Sequence, residues 1–277
     1  MKLLITGASG YLGSRLLKGL NKKKFLVYPI RQNTKDGIQG YDLTCIDSVA
    51  SLVKEFNPEC IIHCAGYVPT DTSGYLDSNK NMLNELMTNN LLNLTSCPII
   101  YISSMTVYGA HYQYSIKENL ECFPETAYAN SKLNGERLIE KDGRGGFAVR
   151  IPGLFGLPRQ SGLVHNLLLS AKHNKNFSFP KAPVLWSGMH VEHAAEAVLN
   201  LLPKLNDLFT PINIGYSGKL SIDTLVEAVN KLLNTNLKSG IEHPCFEFDL
   251  ALYRKLTSSS PLTLTEGIDK VGVEIGQ

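Results

Sequence analysis

No stretch of the 277-residue chain approaches the ~20 consecutive apolar residues that a membrane-spanning helix needs. No sign of charge dominates either. The formal net charge is +2, which gives neither a nucleic-acid nor a membrane surface its electrostatic footprint. The longest basic run is Lys22-Lys23-Lys24, which reads as a solvated helix end. Cysteine is sparse and scattered: there are 6, without a Cys-x-x-Cys pair, so reduced thiols are expected rather than a disulfide framework. Cys60, His63 and Cys64 suggest a metal by their spacing. On an extended strand, however, the two cysteines face one side and the histidine the other, so a buried strand is expected and no metal. The N-terminal residues carry only Leu3, Leu4 and Ile5 as an apolar run. They read as a strand entering a turn rather than a signal peptide, so a cytoplasmic protein is expected.

What is present is an ordinary globular composition, 43% apolar and 19% charged. The length suits one large domain, or one with a small appendage, and is enough to bury a core without staples. Short apolar runs bounded by turn residues predict buried strands at 3–6, 25–30, 60–64, 99–103 and 147–151. Segments of helical spacing lie between them, at 11–20, 47–56, 76–94 and 126–140. Strand–helix alternation of this kind predicts an α/β fold with a doubly wound parallel sheet. Beyond Ile151 the pattern loosens. Helices are expected at 162–173, 193–202 and 221–233, a last buried strand at 211–214, and a loop-rich stretch over about the last forty residues.

The strongest local signal is Thr6-Gly7-Ala8-Ser9-Gly10-Tyr11-Leu12-Gly13, at the first strand–helix junction. Gly7 permits a sharp turn, Gly10 lets backbone approach a diphosphate, and Gly13 lets helix and strand pack closely. A phosphate there would meet the free N–H groups and positive dipole end of the helix. The second strand ends in Ile30-Arg31-Gln32-Asn33 without a carboxylate. Arg31 suits a 2′-phosphate, which points to NADP, with NAD the alternative. Asp42, followed by Leu43, is placed to accept a bond from an adenine amino group.

A second signal is Tyr128-Ala129-Asn130-Ser131-Lys132. A spacing of four puts Tyr128 and Lys132 on one helix face. A phenol with a pKa of about 10 is a poor proton donor near neutrality, and a neighbouring ammonium is expected to lower it. Twenty-four residues before Tyr128, a buried strand ends in Ser103-Ser104-Met105-Thr106-Val107-Tyr108-Gly109. Ligands of such sheets bind beyond the strands' carboxyl ends, where a hydroxyl can stabilise a developing oxyanion.

With these residues the chain resembles the extended short-chain dehydrogenase/reductase family, the nucleotide-sugar epimerase and dehydratase group. His63-Cys64-Ala65-Gly66, Arg150-Ile151-Pro152-Gly153-Leu154-Phe155-Gly156, Met189-His190-Val191-Glu192-His193-Ala194 and Leu264-Thr265-Glu266-Gly267-Ile268 extend the resemblance over nearly the whole chain. The resemblance implies a Rossmann domain over 1–157 and about 184–215. A smaller C-terminal substrate-binding lobe would take up 158–183 and 216–277. It implies a triad of Ser104, Tyr128 and Lys132, with Lys132 also holding the nicotinamide ribose. Ser104 is preferred to Ser103 because it stands immediately before Met105. Gly7, Ser9, Gly10, Tyr11, Leu12, Gly13, Arg31, Asp42, Leu43, Ala65, Gly66 and Tyr67 would line the cofactor, and Pro152 and Leu154 would meet its carboxamide. Thr106 and Arg159 are the expected substrate contacts. The family's pairing of two long helices implies a homodimer, with 76–94 and 126–140 as the candidates.

Departures from the family narrow the reaction. Its dehydratases carry an Asp-Glu pair where this chain has Met105 and Thr106, neither of which can trade protons. The epimerising reductases of the GDP-fucose branch use a cysteine where Met105 stands. The expectation is therefore NADP-dependent reduction of a ketone, most simply a nucleotide-activated keto sugar, with Tyr128 giving the proton. Nucleotide-sugar 4-epimerisation with tightly held NAD is the first alternative, and a non-catalytic NAD(P)-binding protein the second.

Overall fold

The structure, a computed structural model, describes residues 1–20, 24–110, 115–173 and 175–276, so Lys22 and Lys23 lie outside the described residues. No described helix is long and apolar enough to cross a membrane. The elements in chain order begin with β1 (Lys2–Thr6), α1 (Tyr11–Gly19), β2 (Leu26–Arg31), β3 (Gln39–Gly40), α2 (Ile46–Phe56) and β4 (Cys60–His63). They continue with α3 (Thr72–Leu76), α4 (Ser78–Leu94), β5 (Ile99–Ser104), α5 (Ala127–Asp142), β6 (Gly146–Ile151) and β7 (Gly153–Phe155). The last are α6 (Leu163–Lys172), β8 (Gly188–His190), α7 (Val191–Leu199), β9 (Phe209–Asn213), α8 (Ile222–Leu233), α9 (Ala251–Thr257) and α10 (Leu264–Gly276).

Two compact units form. The first comprises Met1–Gly109, Glu121–Arg150 and Ala195–Ile212. Its sheet runs β3-β2-β1-β4-β5-β6-β9, and β1 pairs in parallel with both β2 and β4. Strand order 3-2-1-4-5-6 is that of the doubly wound dinucleotide-binding fold, with a crevice at the carboxyl end where the order reverses between β1 and β4. β4 and β5 are buried at every residue, as strands covered on both faces must be. Leu4, Ile61 and Ile99 of the sheet pack with Val49 and Leu52 of α2 and with Leu91 of α4 in one apolar cluster. Each such side chain contributes about 1.5–3 kcal/mol when removed from water.

One ion pair is buried in this unit. Nε and Nη2 of Arg150 donate to the Glu136 carboxylate, Nη2 at 2.6 Å, and Nη1 donates to the Tyr108 hydroxyl at 2.8 Å. The Ser103 hydroxyl donates to the same carboxylate. The arrangement ties α5 to β5, to β6 and to the 3-10 turn Met105–Tyr108.

The helix expected over 76–94 is two helices. Asp71 caps α3 and Asp77 caps α4, each accepting a backbone N–H three residues on, so the chain restarts at Ser78. β3 and β7, of two and three residues, were not anticipated.

The second unit comprises Ala110–Leu120, Ile151–Ala194 and Asn213–Gln277. Compared with the expected lobe it also takes in 151–157 and 184–194, where β7 pairs with β8, and 110–120, where Ile116 bridges to Phe248. Ser221 and Thr224 form a capping box at the start of α8. The stretch expected to be loop-rich carries α9 and α10 instead. Glycines disguised α10. A Cβ on Gly267 would meet the Tyr216 hydroxyl at 2.1 Å, and one on Gly272 would meet Leu232 at 2.7 Å. These glycines serve close packing rather than helix breaking. Near the end of α10, Glu274 accepts the Leu157 N–H at 2.9 Å and pairs with His190 Nε2 at 3.0 Å.

Removing one partner of a buried pair leaves an uncompensated charge. Glu136→Ala should lower the unfolding free energy by about 3–5 kcal/mol in chemical denaturation. A loss below about 1 kcal/mol would show that Arg150 is satisfied without it.

Candidate active site

The turn after β1 is built around two close backbone contacts. Gly7 has φ +64°, and a Cβ there would lie 2.7 Å from the Ala65 nitrogen. A Cβ on Gly13 would lie 2.2 Å from the Gly7 carbonyl oxygen, so α1 can approach β1 only with glycine at this position. Gly10 is the N-cap of α1 and supplies no side-chain cap, and the first helical bond runs from Ser14 N to Gly10 O. The start of α1 therefore has a bare backbone cradle, beside which Ser9 is exposed, Tyr11 half-buried and Leu12 buried. Such a cradle suits a diphosphate, and it is the observation on which a dinucleotide fits this chain.

The dipeptide Ala65-Gly66 joins that cradle to the reacting groups. Ala65 lies against Gly7, and its N–H donates to Thr6 Oγ1 at 3.1 Å. A Cβ on Gly66 would come within 3.3 Å of Lys132 Nζ and 3.2 Å of Asn84 Oδ1. The site thus narrows to bare backbone on both sides.

Lys132 is 4% exposed. Its Nζ donates to the Ile102 carbonyl at 3.0 Å and stands 5.1 Å from the Tyr101 ring centroid and 6.0 Å from that of Tyr128. Burial pulls its pKa down to about 8, against the opposing pull of Cys64 and Glu136. Ser104 Oγ accepts from Thr106 N at 3.2 Å and from Thr106 Oγ1 at 2.9 Å. A hydroxyl has a single proton, and Ser104, accepting both of these bonds, keeps its own available to donate. Thr106, expected as a substrate contact, here orients Ser104.

The expected effect of the ammonium on the phenol is corrected. The Tyr128 pKa is raised, not lowered: burial is the main cause, Tyr75 adds to it, and the Ser104 hydrogen bond opposes it. Lys132 Nζ stands 6.0 Å from the ring centroid and spends a proton on Ile102, while the phenol has lost its water. Tyr128 therefore holds its proton at neutral pH.

Sequence reasoning missed two residues. Asn84, 2% exposed, accepts from Tyr67 N at 2.6 Å and donates to Tyr67 O at 3.1 Å and to Ser131 Oγ at 3.0 Å. It clips the loop after β4 to α5 beside Lys132. A signal existed: Asn81, Asn84, Thr88 and Leu91 recur at helical spacing and are all buried, a polar stripe where apolar residues belong. Tyr75 of α3 meets the Tyr128 ring edge-on, with centroids 5.4 Å apart. Nothing in the local pattern marked it.

Other expected residues stand differently. The Leu43 side chain belongs to the core, and its carbonyl accepts from Asn90 at 2.9 Å. Asp42 Oδ1 accepts from Thr44 N at 2.9 Å and Thr44 Oγ1 at 2.7 Å. Arg31 pairs with Asp36 at 3.5 Å. Pro152, Leu154 and Arg159 belong to the second unit, where Leu154 pairs with Met189 and Arg159 N donates to Gly156 O at 3.2 Å. His63 is buried; its Nδ1 lies 2.7 Å from Thr6 Oγ1, and burial pulls its pKa down to about 3.

The sheet order, the glycine turn and the Ser-Tyr-Lys grouping define a doubly wound, dinucleotide-binding class of protein. The pattern of the RmlD substrate binding domain matches residues 1–207, and the chain belongs to this family, within the extended short-chain dehydrogenases/reductases. GDP-6-deoxy-D-talose 4-dehydrogenase of Aggregatibacter actinomycetemcomitans is 27% identical over 230 residues, 78% of this chain and 76% of that one. Methionine adenosyltransferase 2 subunit beta of Xenopus laevis is 28% identical over 160 residues, 56% of this chain, and the match spans about half (47%) of that relative's length. Among solved structures, dTDP-4-dehydrorhamnose reductase from Bacillus anthracis in complex with NADP superposes with a TM-score of 0.82 at 20% identity, covering 99% of both chains. UDP-glucose 4-epimerase from Thermotoga maritima with UDP-glucose also gives 0.82, at 16% identity, covering 100% of this chain and 99% of that one. These likenesses show a common fold.

The buried ammonium has a measurable signature. Folded Lys132 loses its proton near 8, and unfolded lysine near 10.4, so between these values the unfolded state binds more protons and unfolding free energy rises with pH. The stability of the wild type relative to Lys132→Met should accordingly increase from pH 7.5 to pH 9.5 in parallel denaturant titrations. A pH-independent difference would place the ammonium in water.

Proposed function

We propose that the chain is an NADP-dependent reductase of a ketone on a nucleotide-linked sugar. The observation that carries this reading is buried Tyr128 beside buried Lys132, with Ser104 held by Thr106 at the end of β5 and Gly66, next to Lys132 Nζ, on the same loop whose Ala65 lies against Gly7. The bound nicotinamide cofactor supplies the hydride. Tyr128, protonated at neutral pH, donates its proton to the oxygen that gains charge on the former carbonyl. Ser104, its oxygen held by Thr106, turns its single proton to the same oxygen. Lys132 stabilises the phenolate left behind, holds the ribose hydroxyls, and itself sits poised near neutrality. Ser9, Tyr11 and Leu12 contribute backbone at the cradle, Arg31 takes the 2′-phosphate, Asp42 the adenine, and Tyr67 the nicotinamide side. Met105 leaves no acid/base group for dehydration. Pro152 and Leu154 remain the proposed carboxamide contacts and Arg159 the proposed substrate contact.

Purified protein is to be scanned for carried-through NAD, then given NADPH and a nucleotide-linked 4-keto sugar. The expected result is stoichiometric NADPH consumption. Tyr128→Phe should keep cofactor affinity and lose about 10²–10⁴ in turnover, the usual contribution of a general acid. Carried-through NAD with no net NADPH consumption would give the epimerase reading instead. Tight NADPH binding with no turnover of any carbonyl substrate would give the binding-protein reading.

The protein is also proposed to be a homodimer. Met82, Leu83 and Leu86 of α4 are exposed, Met82 by 59%, and form an apolar stripe on one helix face. Sedimentation should give twice the chain mass for wild type and the chain mass for Leu86→Glu. A monomeric wild type would discard the dimer without touching the chemistry.

A further inference from the structure

Arg31 closes β2, the strand whose end meets the adenine ribose in this fold. Its guanidinium already has a partner. Nη1 lies 3.5 Å from Asp36 Oδ2 and 3.5 Å from the Lys35 carbonyl oxygen. Asp36 comes from the loop between β2 and β3, which is folded tightly back on itself. Lys35 and Ile38 exchange backbone hydrogen bonds, and Gly40 N donates to Thr34 Oγ1 at 2.9 Å. A Cβ on Gly40 would lie 2.2 Å from the Thr34 nitrogen, so the loop closes directly on the strand pair. Asp36 adopts φ +53°, a left-handed conformation, at the head of this loop. The side chain of Asp36 is 73% exposed and that of Arg31 22%, so the pair stands at the surface with one guanidinium edge engaged.

We propose that Asp36 is a specificity-determining residue for the cofactor: an internal carboxylate that competes with a 2′-phosphate for Arg31. The inference rests on the dinucleotide reading of the Gly7–Gly13 turn. In most dinucleotide folds that refuse a 2′-phosphate, the excluding carboxylate stands at or near the end of the second strand. Here the strand end carries the cation, and the carboxylate arrives from the loop. A 2′-phosphate must displace Asp36 from Arg31 and then remain beside its negative charge. A free 2′-hydroxyl meets no such opposition, and the carboxylate can accept its hydrogen bond. Charge placed this way sets the preference between two otherwise identical ligands by repulsion rather than by added contacts. The wild-type chain therefore holds a 2′-phosphate less tightly than Arg31 alone would allow, with the cation and the carboxylate working against each other.

The test needs no sugar substrate. Binding of 2′,5′-ADP and of 5′-AMP is measured by calorimetry on the full chain at low ionic strength, where surface charge acts over a Debye length of about 10 Å or more. Asp36→Asn keeps the side-chain volume, and asparagine tolerates positive φ, so the loop is retained. In this variant 2′,5′-ADP affinity should rise by about five- to tenfold, and 5′-AMP affinity should change by less than about twofold, the scale of one surface charge moved next to a phosphate. The gain should shrink at high salt. Arg31→Ala should reduce 2′,5′-ADP affinity to below that of 5′-AMP, because the Asp36 carboxylate then stands unopposed. An unchanged ratio in Asp36→Asn, with both ligands bound, would overturn the role of Asp36 and leave the dinucleotide reading intact. Failure of wild type and both variants to bind either ligand would overturn both.

Discussion

An ammonium enclosed by protein must be held, and most of this site is the means of holding one. Lys132 donates to the Ile102 carbonyl, faces the Tyr101 ring and lies where a Cβ on Gly66 would come within 3.3 Å of Nζ. Without the carbonyl the charge would be unsatisfied, and with any side chain at residue 66 it would be crowded. Asn84 fixes the loop that carries Gly66 against the helix that carries Lys132. The position of the amine thus depends on β4, β5, α4 and α5 together. The same lysine that is costly to bury is, in the proposed reaction, the cation that stabilises the phenolate.

Two tyrosines and two hydroxyls complete the arrangement by a division of protons. Thr106 supplies both donors to Ser104, leaving Ser104 free to point its one proton outward. Tyr75 covers the Tyr128 ring and, with burial, keeps the phenol protonated. The phenol thus keeps its proton at neutral pH, as its proposed role of donor requires. This refines the simple picture of a lysine that lowers a tyrosine pKa. Desolvation, with Tyr75, governs the phenol.

Much of this was legible before the coordinates. The glycine turn, the serine at the end of β5 and the Tyr-x-x-x-Lys pair are local in sequence, and each obeys a spacing rule that survives folding. Ser103 and Ser104 were separable only by context, and the structure gives Ser103 to the buried Glu136 carboxylate. Asn84 and Tyr75 were not found because their partners lie far away in the chain, at Ser131 and Tyr128. The break at Asp77 hid inside a helical pattern because a capping aspartate is also an ordinary helix-surface residue. α10 was obscured for the opposite reason: Gly267 and Gly272 look like breakers until Tyr216 and Leu232 are seen to occupy the space beside them.

The last turn of α10 carries a fixed role in its own unit. Glu274 serves both a backbone amide at Leu157 and the imidazole of His190, and Lys172 donates to the carbonyl of Ile275 at 3.0 Å. A change that removes the Glu274 carboxylate would at one stroke strip an acceptor from a buried histidine and loosen the turn ahead of Arg159.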